Sequence, residues 1–246
     1  MRYLVISDIH SNIEALDAVL NEVKGERIDK YLFLGDAVGY AANPNKVIAR
    51  LRFLKPLVAV RGNHDKVVAG LESGFDFREV ALKSALWTRR KIFGKNMTFL
   101  QQLSKGPVIV DKLLCISHGS PADEDYYIFK VYDAKRVMDR SEQWITFYGH
   151  THYPIVFYQK GDDIRFVRIG ITGSRFHLDR DRKYLINPGS VGQPRDGNPL
   201  SSYAILDTEE DILEIKRIEY DIESTQKAIR AAGLPRSNAD RLELGR

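Results

Sequence analysis

The 246-residue sequence contains a single cysteine, Cys115, and no apolar stretch that approaches the ~20 residues needed to cross a membrane. One cysteine cannot form an internal disulfide, which excludes a small secreted domain held together by disulfides. Cys115 lies in the apolar run 112–117, and we expect a small buried strand residue rather than a nucleophile. The apolar run near the N-terminus is too short for a signal peptide, so we expect a cytoplasmic protein without membrane association.

The sequence also lacks a long block of charges of one sign. It has 37 Lys and Arg against 33 Asp and Glu, with a net charge of +4 and a pI of about 9.0. Because the two signs are interleaved, nucleic acid is not favoured as a dedicated partner, although a weak attraction to phosphate-bearing molecules is compatible with this balance. A chain of this length buries roughly 70–75% of its unfolded surface, which suffices for one large domain.

The pattern of apolar residues predicts alternating strands and helices first and hairpins later. Ser11 and Glu14 form a capping box that would start a helix, and Asn43-Pro44 would start a second one. Apolar runs predict strands at 3–7, 31–34, 57–60, 107–110, 113–117, 144–148, 155–159, 164–169, 184–187, 202–206 and 212–218, with a closing helix at 222–232. This order predicts an α/β fold with a mixed sheet. We expect one domain over 1–235, with a helical insert at about 66–105, and a loose C-terminal tail at 236–246.

Polar fragments follow five of the predicted strands directly. They are Asp8-Ile9-His10, Gly35-Asp36, Gly62-Asn63-His64-Asp65, Ser117-His118-Gly119 and Gly149-His150-Thr151-His152. Asp-x-His and Gly-Asp are common by chance, whereas Gly-Asn-His-Asp is expected in about one chain in a thousand of this composition. Five of the six histidines of the chain fall in these fragments. Side chains at the ends of strands gather at one edge of an α/β sheet, so the sequence predicts a single polar site.

The residue types predict a site for divalent metal ions. The candidate ligands combine carboxylate, amide and imidazole groups and offer no thiolate: Asp8, His10, Asp36, Asn63, His118, His150 and His152. Such donors suit manganese, iron, zinc or nickel. Two such ions ~3.5–4 Å apart, bridged by a carboxylate for which Asp36 is best placed, would activate a water for in-line attack at phosphorus. His64 is the candidate general acid, and Asp65 either orients it or caps the helix that follows.

The order of these fragments resembles that of the calcineurin-like metallophosphoesterases, and most of all their small bacterial members. The resemblance covers roughly residues 1–220. It implies a four-layer α/β/β/α sandwich of two mixed sheets, with a binuclear centre and a metal-bound hydroxide as the nucleophile. It assigns Asp8, His10, Asp36 and His152 to one metal ion and Asp36, Asn63, His118 and His150 to the other. It also places His64 near the leaving group.

One departure from the family pattern narrows the expected substrates. Many protein phosphatases of the family carry a further Asp-Arg pair after Gly-Asp, whereas this chain continues as Ala37-Val38-Gly39-Tyr40. A protein-phosphatase function is therefore disfavoured, and a phosphodiester, a small phosphomonoester or a nucleotide substrate stays open. Arg195, in a glycine- and proline-rich turn expected to support the metal loops, is a tentative ligand for substrate phosphate. The alternative function is a non-catalytic scaffold on the same fold.

Overall fold

Two six-stranded mixed sheets pack face to face between layers of helices, in a computed structural model that describes all 246 residues. The first sheet has the order β3-β2-β1-β11-β12-β9, and the second has the order β4-β5-β6-β10-β7-β8. The strands are β1 (Arg2–Ile6), β2 (Lys30–Phe33), β3 (Leu57–Ala59), β4 (Val108–Val110), β5 (Leu114–Ile116), β6 (Ile145–Phe147), β7 (Ile155–Lys160), β8 (Asp163–Arg168), β9 (Gly173–His177), β10 (Lys183–Asn187), β11 (Ser201–Asp207) and β12 (Ile212–Ile218). The predicted sandwich of two mixed sheets is confirmed.

Eight α-helices surround the sheets, and none is long and apolar enough to serve as a transmembrane segment. They are α1 (Ile13–Glu22), α2 (Pro44–Phe53), α3 (Asn63–Ala69), α4 (Glu79–Lys91), α5 (Gly94–Gln101), α6 (Val131–Met138), α7 (Ile222–Ala231) and α8 (Arg236–Asp240), followed by a 3₁₀ turn at Leu242–Leu244. Neither α6 nor β9 was anticipated from the sequence. The strand β9 has mostly exposed or half-buried residues, so it lacks the apolar pattern by which buried strands are recognised.

Three layers of apolar side chains hold the sandwich together. One core lies between the first sheet and the helices α1 to α5, and it includes Leu16, Ile48 and Leu100. A second core fills the space between the two sheets. A third lies between α6 and the second sheet, where Met138 packs with residues of β7 and β10. The helices over 63–101 thus extend the helical layer on the first sheet, since Val67, Val68 and Ala85 belong to the first core.

The start of α1 differs from the predicted capping box. The side chain of Asn12, not Ser11, accepts the hydrogen bond from the amide of Ala15 at 3.1 Å. Ser11 instead has a positive φ of 59° and lies in the turn that follows His10. The side-chain amide of Asn12 also donates to the carbonyl of Gly192, 180 residues away. The capping role of Asn12 therefore depends on the tertiary structure.

The prediction of a loose tail at 236–246 is wrong. The helix α8 and the 3₁₀ turn pack on α7, and Ala239 and Leu242 are buried in a small apolar core with Ile229. The amide of Asn238 donates to the carbonyl of Tyr40 at 3.1 Å and to the hydroxyl of Ser84 at 2.8 Å. The polar composition misled the prediction because these polar groups find buried partners far along the chain.

Candidate metal centre

The polar fragments meet at one edge shared by both sheets. β1, β2 and β3 are mutually parallel, so Asp8, Asp36 and Asn63 leave the first sheet at the same edge. β5 and β6 are parallel in the second sheet, and His118 and His150 follow their carboxyl ends. The carboxyl ends of parallel strands lie side by side, which is why residues up to 144 positions apart in sequence come into contact here.

The backbone at this edge adopts an unusual conformation. The five residues Asp8, His10, Asp36, His150 and His152 all have positive φ angles, between 51° and 66°. Non-glycine residues rarely occupy this left-handed region, and each costs of the order of 1 kcal/mol or more. Strain concentrated on these residues, and held by the surrounding structure, is typical of a functional site.

The first half of the cluster contains Asp8, His10, Asp36 and His152. All four are buried, and their ligand atoms lie within 4.8 Å of one another. His152 Nε2 lies 3.3 Å from Asp8 Oδ1, and His10 Nε2 lies 3.6 Å from Asp36 Oδ2. Asp8 Oδ1 has no hydrogen-bond partner although it is buried, whereas Asp8 Oδ2 accepts from the hydroxyl of Ser7 at 2.6 Å.

The second half contains Asp36, His118 and His150, with Asn63 beside them. The ligand atoms of the first three also lie within 4.8 Å of one another. Asp36 Oδ2 is 3.5 Å from His118 Nε2, so this one oxygen lies between a histidine of each half. The other oxygen, Oδ1, accepts from the backbone amide of His64 at 2.9 Å. Asn63 Oδ1 lies 3.2 Å from His118 Nε2.

Backbone carbonyls set the tautomer of each histidine. A carbonyl only accepts, so Nδ1 must be the protonated nitrogen of His10, His118 and His152, which donate to Val38, Leu34 and Gln193 at 3.0, 2.8 and 2.6 Å. In His150 the roles are reversed, because Nε2 donates to the carbonyl of Asp125 at 3.0 Å. Each ring therefore presents an unprotonated nitrogen to the cluster, as metal-binding histidines do.

These tautomers leave lone pairs facing each other. The Nε2 atoms of His10 and His152 are 3.1 Å apart, and His118 Nε2 is 3.2 Å from Asn63 Oδ1. Neither atom of either pair carries a hydrogen when the Nδ1 atoms are protonated, so each pair is repulsive unless a cation lies against it. One such pair occurs in each half of the cluster, together with the unpartnered Asp8 Oδ1. The donor set therefore fits divalent cations.

The pKa shifts within the cluster also favour the binding of cations. Burial, followed by the charges of neighbouring histidines, lowers the pKa of His10 well below its usual value, and burial also lowers the pKa values of His118, His150 and His152. Burial raises the pKa of Asp36 well above its usual value, and the charges of Asp65 and Asp8 raise it further. Neutral imidazoles are the form that binds metals, and a cation would relieve the repulsion between the carboxylates.

A family model of the calcineurin-like phosphoesterase superfamily domain matches residues 1–211. The chain belongs to this superfamily. An uncharacterised protein of Methanocaldococcus jannaschii is 41% identical over 98% of this chain and 97% of its own length. The crystal structure of a metallophosphoesterase from Sphaerobacter thermophilus superposes with a TM-score of 0.87 at 35% identity, covering 100% of this chain and 99% of the other. Phosphodiesterase YfcE of Escherichia coli K12 is 26% identical over 87% of this chain and 91% of its length.

In this calcineurin-like phosphoesterase, the turn after β10 is hydrogen-bonded to the segments that carry the candidate ligands, as predicted. Ser190 Oγ donates to the carbonyl of Asp8 at 2.8 Å and accepts from the amide of Gln193 at 2.8 Å. Asn187 donates to the carbonyl of Gly149 at 2.7 Å and to the hydroxyl of Thr151 at 3.0 Å. The turn 187–193 therefore fixes the position of the Asp8 segment relative to the 149–152 segment.

His64 lies beside the ligand cluster and lines the same cavity. Its ring packs against those of His10, Tyr40 and Phe77, with centroids 4.9, 4.6 and 4.7 Å away. Its Nδ1 is buried without a hydrogen-bond partner. Burial, and then the charge of Arg195, lowers the pKa of His64 well below its usual value.

Asp65 does not orient His64. Its carboxylate accepts from the backbone amides of Asp36, Gly62 and Val38 at 2.8, 3.0 and 3.3 Å. Burial raises the pKa of Asp65 to about 7, against the lowering effect of these amides. The expectation that it holds the histidine ring is therefore wrong. Asp65 is not the N-cap of α3 either, because Gly62 is. Asp65 is the third residue of the helix, and its carboxylate joins the start of α3 to the loop that carries Asp36.

The cavity above the cluster has an aromatic wall. Tyr127 stacks on the ring of His150 at 3.7 Å, and Phe129 stacks in turn on Tyr127 at 5.6 Å. Both are exposed toward the cavity, as is Tyr153. The neighbouring Tyr126, by contrast, does not line this cavity and donates its hydroxyl to Asp133 at 2.8 Å.

Several residues at the site were not identified from the sequence. Three of them form a hydrogen bond with a candidate ligand: Ser7 with Asp8, Gln193 with His152 and Asp125 with His150. The fourth, Phe77, packs against the ring of His64. Ser7 lies next to a candidate ligand, which offered a weak signal. The other three depend on long-range contacts and left no local signal. Arg241, from the supposedly loose C-terminal segment, also lines the cavity.

Proposed function

We propose that the protein is a metal-dependent phosphoesterase that holds two divalent ions, with manganese, iron, zinc and nickel as candidates. The two pairs of facing lone pairs, one in each half of the cluster, support this proposal most strongly. Asp8, His10, Asp36 and His152 would hold one ion, and Asp36, Asn63, His118 and His150 the other. Two bound ions would supply an activated water and neutralise charge on the phosphoryl oxygens.

The chain's own residues would position the substrate and move protons. His64 is proposed as the general acid, because it lies beside the cluster and has an unpartnered ring nitrogen. Its lowered pKa leaves the ring neutral in the free site, and the negative charge of a bound phosphate ester would favour the protonated form. Arg195 faces the cluster closely enough for its charge to lower the pKa values of His10, His64 and His152, and we assign it to binding the substrate phosphate.

A phosphodiester is the first substrate class to test. The related Escherichia coli protein is named a phosphodiesterase, and the Asp-Arg pair associated with protein phosphatases is missing after Asp36. The aromatic wall of Tyr127, Phe129 and Tyr153 would pack against the organic part of an ester. A small phosphomonoester is the second class.

The experiment measures hydrolysis by metal-stripped protein before and after manganese is restored. It compares bis-p-nitrophenyl phosphate with p-nitrophenyl phosphate, and Asp36→Asn serves as the inactive control because it removes the bridging charge. Faster cleavage of the first substrate supports a phosphodiesterase, and faster cleavage of the second supports a phosphatase. Absence of metal-dependent turnover of both would instead support a non-catalytic scaffold.

A further inference from the structure

Four arginines line the cavity above the candidate metal centre: Arg78, Arg195, Arg241 and Arg246. The first three form a positively charged wall, opposite in character to the aromatic wall. Arg195 and Arg241 lie over the same ring of Tyr40, with guanidinium carbons 5.6 and 5.7 Å from its centroid. Both also point at one neutral acceptor, Gln193 Oε1, at 2.9 and 3.5 Å. Arg78 lies close enough to Arg241 for its charge to lower the pKa of Arg241, so three positive charges share one region of the cavity.

No carboxylate pairs directly with these charges, and the cavity also contains the carboxylates of Glu72, Asp76 and Asp125. None of the three arginines has an Asp or Glu oxygen within 4.0 Å, and Arg195 Nε is buried without a hydrogen-bond partner. The acidic residues next to them in sequence have other partners. Asp196 is paired with Arg217, Asp240 with Arg230 and Glu79 with Lys83. Burial, followed by the charges of Arg195 and Arg78, lowers the pKa of Arg241.

Holding like charges together without a counter-ion is unfavourable, and an anion in the cavity removes that cost. Planar guanidinium groups bind phosphate through paired hydrogen bonds, which makes a phosphate the best match. The cavity has a volume of about 970 Å³, so it can hold considerably more than a single phosphate. Asp36 and His64 line the same cavity, which places it directly over the candidate metal ligands. The scissile phosphate would lie on the metal ligands, which leaves the arginine wall for a different group.

We propose that Arg78, Arg195 and Arg241 bind a second phosphate group of the substrate, beyond the one that is cleaved. This inference rests on the proposed phosphoesterase function and narrows it to esters with two phosphate groups. Arg195 lies between the two sites and contacts both phosphates, while Arg241, brought in by the C-terminal segment, and Arg78, at the start of α4, contact only the second.

The test uses three nucleotides as inhibitors of bis-p-nitrophenyl phosphate hydrolysis. Adenosine 5′-monophosphate carries one phosphate, adenosine 5′-diphosphate adds a second in the same chain, and adenosine 3′,5′-bisphosphate adds it on the sugar. We expect at least one of the doubly phosphorylated nucleotides to inhibit about tenfold or more better than the monophosphate. Arg241→Gln and Arg78→Gln should each reduce that advantage to less than about threefold.

Arg236→Gln is the matched control, because Arg236 is exposed on α8, the helix that directly precedes Arg241, has no ion pair and lies outside the cavity. The Arg236→Gln variant should be inhibited by the doubly phosphorylated nucleotides as much better than by the monophosphate as the unaltered protein is. Arg78 is exposed, so its variant should fold even if Arg241→Gln does not. An advantage that persists in both variants would place the second phosphate on the metal ions and overturn the proposal, as would equal inhibition by all three nucleotides.

Calorimetric titration of the same nucleotides into the protein separates this inference from the proposed function. If the protein hydrolyses neither bis-p-nitrophenyl phosphate nor p-nitrophenyl phosphate with manganese, the phosphoesterase proposal fails. Binding of the doubly phosphorylated nucleotides that depends on Arg241 would still support the second site. Turnover without such binding would leave the phosphoesterase standing and refute the second site alone.

Discussion

Replacing Gly39 with alanine should disable His64 without altering any ionisable group. Gly39 has a φ of +96°, and a Cβ atom there would overlap the Nδ1 atom of the His64 ring. The ring cannot move aside freely, because His10, Tyr40 and Phe77 surround it. The substitution must therefore shift the His64 ring or the 36–40 loop.

Two costs can be separated in this variant. The positive φ alone costs an alanine about 1–2 kcal/mol of stability. Gly25 has nearly the same φ, +93°, but no atom lies within 4 Å of the Cβ that alanine would add. Gly25→Ala is thus a matched control that carries the backbone strain without the overlap, and both variants can be compared by urea unfolding. Gly39→Ala should be the less stable of the two.

The effect on activity follows from the role proposed for His64. Loss of a positioned general acid lowers the rate about 10²-fold, equivalent to about 2.7 kcal/mol in the activation barrier. Phenolate is a stronger base than p-nitrophenolate and needs the proton more. Gly39→Ala should therefore slow diphenyl phosphate hydrolysis more than bis-p-nitrophenyl phosphate hydrolysis, and Gly25→Ala should slow neither. Equal losses on both esters, or full activity in Gly39→Ala, would refute the assignment of His64 as the acid.

Three further predictions concern stability, metal affinity and pH. Ser190→Ala removes the hydroxyl that holds the Asp8 carbonyl, so manganese should bind about 10–100-fold more weakly by calorimetry; unchanged affinity would contradict the supporting role of the 187–193 turn. Leu242→Ala should cost about 2–4 kcal/mol in urea unfolding, because Leu242 is buried, whereas the exposed Leu244→Ala should change stability by less than about 0.5 kcal/mol; equal effects would argue against a packed C-terminal segment. Burial opposes ionisation of Glu124, but Arg61 and Lys66 outweigh it and lower its pKa. Its stabilising effect is therefore present at neutral pH and lost as the pH falls through the lowered pKa. The difference in melting temperature between the unaltered protein and Glu124→Gln should shrink from pH 7 to pH 3, while the difference for the exposed Glu243→Gln should stay small throughout.

Much of the site could be predicted because its residues obey a local rule. The strands were visible as short apolar runs, and each candidate ligand directly follows one of them. In sheets with parallel strands, the residues after the strands converge at one edge whatever their separation in sequence. Asp8, Asp36 and His118 could therefore be placed together before their contacts were known.

The tertiary structure alone decided the contacts that give these residues their properties. The tautomer of His152 depends on a carbonyl 41 residues away, and that of His118 on one 84 residues away. Asp65 has backbone amides within reach on a neighbouring loop, which directs its carboxylate away from His64. No periodicity encodes such contacts, since they arise only when the loops are packed together.

The C-terminal segment also shows the difference between what the sequence predicts and what the tertiary structure decides. Its polar composition predicted a loose tail, because composition registers only how much apolar area a segment can bury on its own. The segment is ordered instead by packing against α7 and by one hydrogen bond from Asn238 to Tyr40, 198 residues away. The sequence by itself determined the candidate ligands and the strands that carry them. The fold determined which nitrogen faces the cluster and brought Arg241 beside Arg195, because burial and charge proximity are properties of the packed chain.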